Sequence, residues 1–219
     1  MYRSTVLVAE LLGMRVSTGF AAGLRGRAAR LIAEGGFCEA VRKLLTNAPV
    51  VHADESFARA AGGTTYVHVA CTGHLTLMHT GDRSATTIDA GGVLGELGTG
   101  QVLVRDGYAG YTHLANVAHA WCGAHLLRDL RGIHEADPAG QLWAKAMADA
   151  LIEAHRLATT ARAEGRDALA DNELHVIDRL YTGALARARL DNPGSDKSVL
   201  AGPARTLAAR FQTHREVIL

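Results

Sequence analysis

The hydrophobic residues of the first 46 positions repeat at the spacing typical of helices. A first helix is indicated by apolar residues near one face: Val6, Leu7, Leu11, Leu12 and Val16. Ser17 or Thr18 is suited to cap a second helix, which Gly35-Gly36 ends and whose inner face is expected to carry Leu24, Ala28, Leu31 and Ile32. A third, short helix ends before Pro49. The pattern therefore predicts a helical lead-in over residues 1–48.

The pattern changes at Pro49, after which apolar residues form short runs and alternate with polar ones. Residues 50–54, 64–71 and 74–79 predict three strands joined by tight turns, an antiparallel meander. His68, His74 and His79 alternate on these strands and are expected to be exposed. Five further elements are predicted after the meander: a capped helix over residues 84–97, a strand over 101–106, a short helix over 108–116, a strand over 117–122 and a helix over 122–133.

Three hairpin-linked strands followed by alternating helices and strands are typical of the α/β ribonuclease H-like fold, whose mixed sheet has the order 3-2-1-4-5. Strands one and four are then neighbours, and the direction of winding reverses between them. Open α/β sheets place their sites at such a point. Residues 134–219 are predicted to be wholly helical. We therefore expect a lead-in over 1–48, a ribonuclease H-like core over 49–133 and a helical region over 134–219.

Composition narrows the class of protein. The chain has 219 residues, of which 48% are hydrophobic and 21% charged, so it can bury a core. Its apolar runs are too short for a membrane-spanning helix, and no secretory signal is visible. Three scattered cysteines do not make a disulfide framework, so we expect a cytoplasmic protein without a membrane partner. With 23 basic and 22 acidic side chains, no large basic face is indicated.

Two acidic residues end the two strands that the fold makes neighbours: Asp54 ends the first strand and Asp106 ends the fourth. Adjacent carboxylates repel each other unless a cation neutralises them. Carboxylate oxygens favour Mg²⁺ or Mn²⁺, and a pair of such ions can activate water and stabilise a leaving oxygen in phosphodiester cleavage. From spacing alone, the alternative that both are ordinary turn residues stays open.

Three motifs follow one another along the chain: HADES at residues 52–56, RDGYAGY at 105–111 and HAWCGAHLLR at 119–128. Together they resemble the central catalytic region of the bacterial transposases of the insertion sequence 66 family, which are DDE-type enzymes with a ribonuclease H-like core. The resemblance extends over residues 5–219. It implies that Asp54 and Asp106 are the first two carboxylates of the catalytic triad and bind Mg²⁺ or Mn²⁺.

The third carboxylate of the family is a Glu in an Asp-Asn-Asn-x-x-Glu stretch that follows a helical insertion. This stretch does not occur in the sequence. The resemblance therefore implies that residues 134–219 are the insertion and end before the third catalytic residue, and that the family's N-terminal region is also missing. We expect a transposase core truncated at both ends and weakly active or inactive, so whether the chain is an enzyme stays open.

Cys122 and His125 form a Cys-x-x-His element, which many DDE transposases carry just after the second Asp. The resemblance implies that Cys122 packs at the strand end as a structural residue, and that His125 and Arg128 line the active-site edge, where Arg128 contacts a DNA phosphate. Tyr108 lies beside Asp106 and could stack on a base or sugar, as could Tyr111, although core packing is the alternative for both. A zinc site, which requires four ligands, and a buried cysteine beside a surface histidine are the alternatives for the Cys-x-x-His element.

The resemblance implies a function in DNA transposition, with cleavage and strand transfer of an insertion sequence. Its partners would be DNA, at the element ends and at the target, and further copies of the chain or a full-length transposase. One alternative is a non-catalytic regulator, derived from a transposase, that binds DNA or transposase. Another is a small metal-dependent hydrolase that uses His52 and Asp54.

Overall fold

The computed structural model describes residues 2–60, 62–196 and 198–219. The chain begins with three helices: α1 (Tyr2–Leu12), α2 (Thr18–Glu34) and α3 (Phe37–Thr46). Ser17 caps α2 as predicted, because its Oγ accepts a hydrogen bond of 3.0 Å from the amide of Phe20. This bond satisfies one of the amides that the first turn of a helix leaves without an intrahelical acceptor.

The predicted burial of α2 is wrong. Leu24, Leu31 and Ile32 are exposed, and α2 contains no buried residue. On α3, by contrast, Val41 and Leu45 are buried. Helical spacing determines which residues share a face, but whether another element covers that face depends on tertiary packing.

The strands form one five-stranded sheet in the order β3-β2-β1-β4-β5, which confirms the predicted α/β, ribonuclease H-like topology. The first three strands pair antiparallel and the last two pair parallel. The strand bounds are β1 (Val50–Ala60), β2 (Gly63–Cys71), β3 (Thr76–Gly81), β4 (Val102–Arg105) and β5 (Ala118–Trp121).

Strand β1 continues well past its predicted end. Asp54 was expected to end the strand, but it lies inside β1 and pairs with Val69 of β2. The pairing extends to Ala60 opposite Gly63, and Gly62 of the turn adopts a φ of +80°, which a glycine allows at little cost. Hydrogen bonding to β2 keeps this polar part of the chain extended, although its side chains do not show the apolar pattern of a strand.

Two predicted helices are shorter in the structure. The helix predicted over 84–97 has the expected Ser84 cap but is only α4 (Ala85–Ala90), followed by a 3₁₀ turn at Leu94–Glu96. Gly92 has a φ of +67°, which a helix does not accommodate. The helix predicted over 108–116 is a single 3₁₀ turn at Ala109–Tyr111.

The C-terminal region is helical, as predicted. It comprises α5 (Gly123–Ala136), α6 (Leu142–Ala163), α7 (Asp171–Asp191), α8 (Ala201–Thr213) and α9 (Arg215–Ile218). Its core includes the large, fully buried side chains of Trp143, Met147, Tyr181 and Phe211. The burial of these residues on α6, α7 and α8 holds the three helices together.

The chain divides into two compact units. One comprises residues 1–101 and 110–117, and contains β1 to β3; the other comprises residues 102–109 and 118–219, and contains β4, β5 and the C-terminal helices. The three-part division at residues 48 and 133 stays a prediction. Among the described residues, no helix combines the length and the apolar character needed to cross a bilayer.

Candidate active site

Asp106 is the first residue after β4 and begins a tight turn. Its Oδ1 accepts a hydrogen bond of 2.9 Å from the amide of Tyr108, two residues further on. This is the local geometry that makes aspartate common in turns. Nη1 of the buried Arg105 donates hydrogen bonds to the carbonyl oxygens of Asp106 and Tyr108, at 2.9 and 3.1 Å. The turn that carries the Asp106 carboxylate is therefore held by hydrogen bonds to one of its amides and two of its carbonyl oxygens.

Four of the residues that the sequence singles out meet around one cavity of about 180 Å³ in the second unit. They are Asp106, Cys122, His125 and Arg128. Asp106 follows β4, Cys122 follows β5, and the other two lie on the first turns of α5. Because β4 and β5 are parallel neighbours, their carboxyl ends meet at one edge of the sheet.

Cys122 lies where β5 passes into α5. Its amide donates a hydrogen bond of 2.7 Å to the carbonyl oxygen of Arg105, and its own carbonyl oxygen accepts from the amides of His125 and Leu126. Cys122 and His125 are half-buried, whereas Arg128 is exposed. The backbone of Cys122 thus joins strand and helix, and the first turns of α5 bring His125 and Arg128 to the cavity.

Three further residues to which the sequence analysis gave no role also line this cavity: Trp121, Asp129 and Arg210. The guanidinium of Arg210 lies over the Trp121 ring, 5.4 Å from its centroid, and its Nη1 is 3.5 Å from Oδ2 of Asp129. Arg210 comes from α8, far along the chain from the other residues. No local pattern in the sequence indicates this position, since only the packing of α8 brings it to β5.

Asp54 belongs to the first unit, where it is exposed on β1. Its Oδ1 accepts a hydrogen bond of 2.9 Å from the amide of Glu55. On the neighbouring strand, burial and, to a smaller extent, the negative charge of Asp54 raise the pKa of the Cys71 thiol. Cys71 therefore stays a neutral thiol at physiological pH.

Glu55 was also missed, and it points away from Asp54 into the first unit. Only 3% of its side chain is exposed, and its carboxylate forms an ion pair with Arg83. The hydroxyl of the fully buried Tyr111 donates a hydrogen bond of 2.5 Å to its Oε2. The alternation of side chains along a strand is the signal that separates the two acidic residues. Its burial and its bond to Glu55 place Tyr111 in the core, so core packing, the alternative considered for it, is correct.

The predicted exposure of the strand histidines is wrong for His68, which is buried. Its ring stacks on His79 with centroids 4.9 Å apart, and the Nε2 atoms of the two rings bond to the carbonyl oxygens of Asp82 and Thr87. These bonds to backbone atoms outside β2 and β3 allow the imidazoles to pack inward.

No set of three or more His, Cys, Asp or Glu side chains suited to holding a metal ion occurs in the part of the chain that the structure describes. In ligand type, the oxygens of Asp54 and Asp106 match what Mg²⁺ and Mn²⁺ prefer. Cys122 and His125 supply only two of the four ligands of a structural zinc site.

Comparison with known proteins gives one informative result. A model of the family described as "Transposase IS66 family" matches residues 1–217 of the chain. A search of curated proteins gives no match.

Proposed function

Because the chain belongs to the IS66 family of transposases, we propose that it acts in the transposition of an insertion sequence as a DDE-type core that binds and processes DNA. The observation that carries this proposal is the cavity beside Asp106. Two motifs that are separate in the sequence contribute to it: the motif at residues 105–111 contributes Asp106, and the motif at residues 119–128 contributes His125 and Arg128. A carboxylate for a cation and a guanidinium for a phosphate are what phosphodiester chemistry requires.

In this proposal Asp54 and Asp106 are ligands of Mg²⁺ or Mn²⁺. The support is their chemistry together with the strand order, in which β1 and β4 are consecutive. When bound, such ions supply an activated oxygen nucleophile and stabilise the leaving oxygen. The third carboxylate is unassigned among the described residues, since no third acidic side chain completes a metal-binding set there.

The other residues of the cavity bind and orient in this proposal. The Tyr108 amide and the Arg105 guanidinium hold the Asp106 turn, so that its carboxylate presents one geometry to a cation. Arg128 is exposed at the rim and contacts a DNA phosphate. Tyr108 is half-buried beside the turn and stacks on a base or sugar.

Metal binding tests the two carboxylates directly. We expect the chain to bind Mn²⁺, measured by electron paramagnetic resonance, and to bind it at least about tenfold more weakly after Asp54→Asn or Asp106→Asn, because each variant removes a negative oxygen ligand. Asp149→Asn is the matched control, since Asp149 is an exposed acid on α6 paired with Lys145. Undiminished Mn²⁺ binding in both site variants would overturn the assignment.

Strand transfer tests the reaction. Without an Asp-Asn-Asn-x-x-Glu stretch in its sequence, we expect the 219-residue chain alone to give little or no joining of cognate element ends to a target plasmid. Robust cleavage and joining by the purified chain would show that another acid of the chain completes the triad. Asp54→Asn should then abolish both steps, and full activity of that variant would contradict its proposed role.

A second candidate is a non-catalytic regulator that associates with an intact transposase. The exposed apolar residues of α2 favour it, because a helix with no buried side chain leaves its apolar face open to a partner. We expect an intact family member to capture the chain at micromolar concentration, and to lose it after Leu31→Glu. Failure to associate at that concentration would count against the regulator.

A further inference from the structure

Arg210 lies on α8, yet its guanidinium reaches the turn that follows β4. A Cβ placed on Gly107 would lie 2.6 Å from Nη2 of Arg210. The guanidinium therefore packs against the backbone of the residue immediately after Asp106. The missing side chain at Gly107 allows this close approach.

Two contacts orient this guanidinium without using all of its donors. The ring of Trp121 lies beneath it, with the centroid 5.4 Å from Cζ, at a distance typical of a cation–π interaction. The separation of 3.5 Å to the Asp129 carboxylate is longer than a charge-assisted hydrogen bond. Moreover, 38% of the Arg210 side chain is exposed. An arginine has five N–H donors, so donors are left for an anion that enters the cavity.

The charges around the cavity balance even without a cation, so they admit an anion, and the shape of a guanidinium favours a phosphate. Arg128 and Arg210 bring two positive charges, while Asp106 and Asp129 bring two negative ones. A cation held by Asp106 would make the cavity net positive. A planar guanidinium forms two parallel hydrogen bonds to a phosphate, which an ammonium group does not.

We infer that Arg210 binds a phosphate of the DNA backbone next to Asp106, with Trp121 holding the guanidinium in place. The inference rests on the proposed function, which supplies DNA as the substrate of this cavity. It makes a residue of the C-terminal helices part of the surface that positions DNA.

The test measures binding of the full chain to a short fluorescein-labelled DNA duplex, in EDTA so that metal plays no part. For Arg210→Gln we expect about tenfold weaker binding. We also expect the slope of log K against log salt to fall in magnitude by about 0.9, the change for one lost phosphate contact. Arg210→Lys keeps the charge and should restore the slope while recovering only part of the affinity. Arg156→Gln is the control, because Arg156 is exposed on α6 and pairs with Glu153; its affinity and slope should equal those of the wild type.

A purely structural role for Arg210 would not change the salt slope. Equal affinity and slope for the wild type and Arg210→Gln would overturn the inference, and so would a wild-type chain that does not bind the duplex. If Arg210→Gln fails to fold, duplex binding by Gly107→Ala tests the inference instead. Its Cβ displaces only the flexible end of Arg210, and it should weaken duplex binding to a similar extent. A wild-type chain that does not bind the duplex would contradict the proposed function as well, whereas equal affinity and slope for the wild type and Arg210→Gln would overturn this inference alone. The two failures are therefore distinguishable.

Discussion

Nε of Arg105 donates a hydrogen bond of 2.8 Å to Nδ1 of His119, between the parallel strands β4 and β5. The same guanidinium holds the carbonyl oxygens of Asp106 and Tyr108. Arg105 is thus a buried cation that ties the turn of the candidate site to the next strand.

Removing this cation should destabilise the chain. We expect Arg105→Met to lower the free energy of unfolding by about 2–3 kcal/mol. The substitution removes a charged hydrogen-bond donor, so His119 and the carbonyl oxygens of Asp106 and Tyr108 lose the bonds that Arg105 donates to them. Urea denaturation measures the change. Arg128→Met is the control, since Arg128 is exposed, and should change the stability by less than about 0.5 kcal/mol. Equal effects of the two variants would contradict the role assigned to Arg105.

The Glu55–Tyr111 hydrogen bond should appear as a coupling energy. In a double-mutant cycle of Glu55→Gln and Tyr111→Phe we expect about 1–2 kcal/mol of coupling, because a buried hydroxyl donates to a buried carboxylate. Chemical denaturation of the wild type, the two single variants and the double variant measures this coupling energy. The same cycle with Glu39→Gln, an exposed acid on α3, should give a coupling near zero. A value near zero for Glu55 as well would refute the contribution of this bond.

Phe211 should be essential for the packing of the C-terminal helices. It is completely buried, its ring lies edge-on to Tyr181 with centroids 6.2 Å apart, and its carbonyl oxygen accepts a hydrogen bond of 2.7 Å from the Tyr181 hydroxyl. We expect Phe211→Ala to cost about 3–5 kcal/mol, by lost burial and by the cavity left behind. Thermal unfolding checks this. Leu190→Ala, at a 77% exposed position of α7, should have little effect.

The carboxylate of Glu173 should resist protonation. Hydrogen bonds from Arg166 and from the amide of Ala170 lower its pKa from 4.5 to about 2. Because the pKa is lower in the folded chain than in the unfolded one, the resulting stabilisation is present above pH 4.5 and is lost as the pH falls through about 2. An NMR titration should find the low pKa, and Arg166→Gln should raise it. An ordinary pKa in the unmodified chain would show that the pair does not form in solution.

Local patterns in the sequence were sufficient for much of the fold. The Ser17 and Ser84 caps each depend on residues close together in the chain. The order of the strands followed from the known fold of which the succession of strands and helices is typical. The predictions that failed concern long-range packing. Asp54 lies inside β1 because β2 pairs beyond it, and the apolar face of α2 is exposed because no described element covers it.

The residues of the candidate site also differ in whether the sequence alone identifies them. Asp106, Cys122, His125 and Arg128 are identifiable in the sequence because they belong to motifs on consecutive elements, and the structure brings them to one cavity. Arg210 was not identifiable, since a lone arginine on a helix carries no sign of its partner.

The sequence by itself determined the succession of strands and helices and the helical character of both ends, because backbone preferences and hydrophobic periodicity act over a few residues. The α/β class and the order of the strands followed from the known fold of which that succession is typical. Only the tertiary structure decided that Glu55 is buried while Asp54 is exposed, and that Arg210 of α8 lies beside the turn after β4. Burial and distant contacts follow from how elements pack, and no local pattern contains that information.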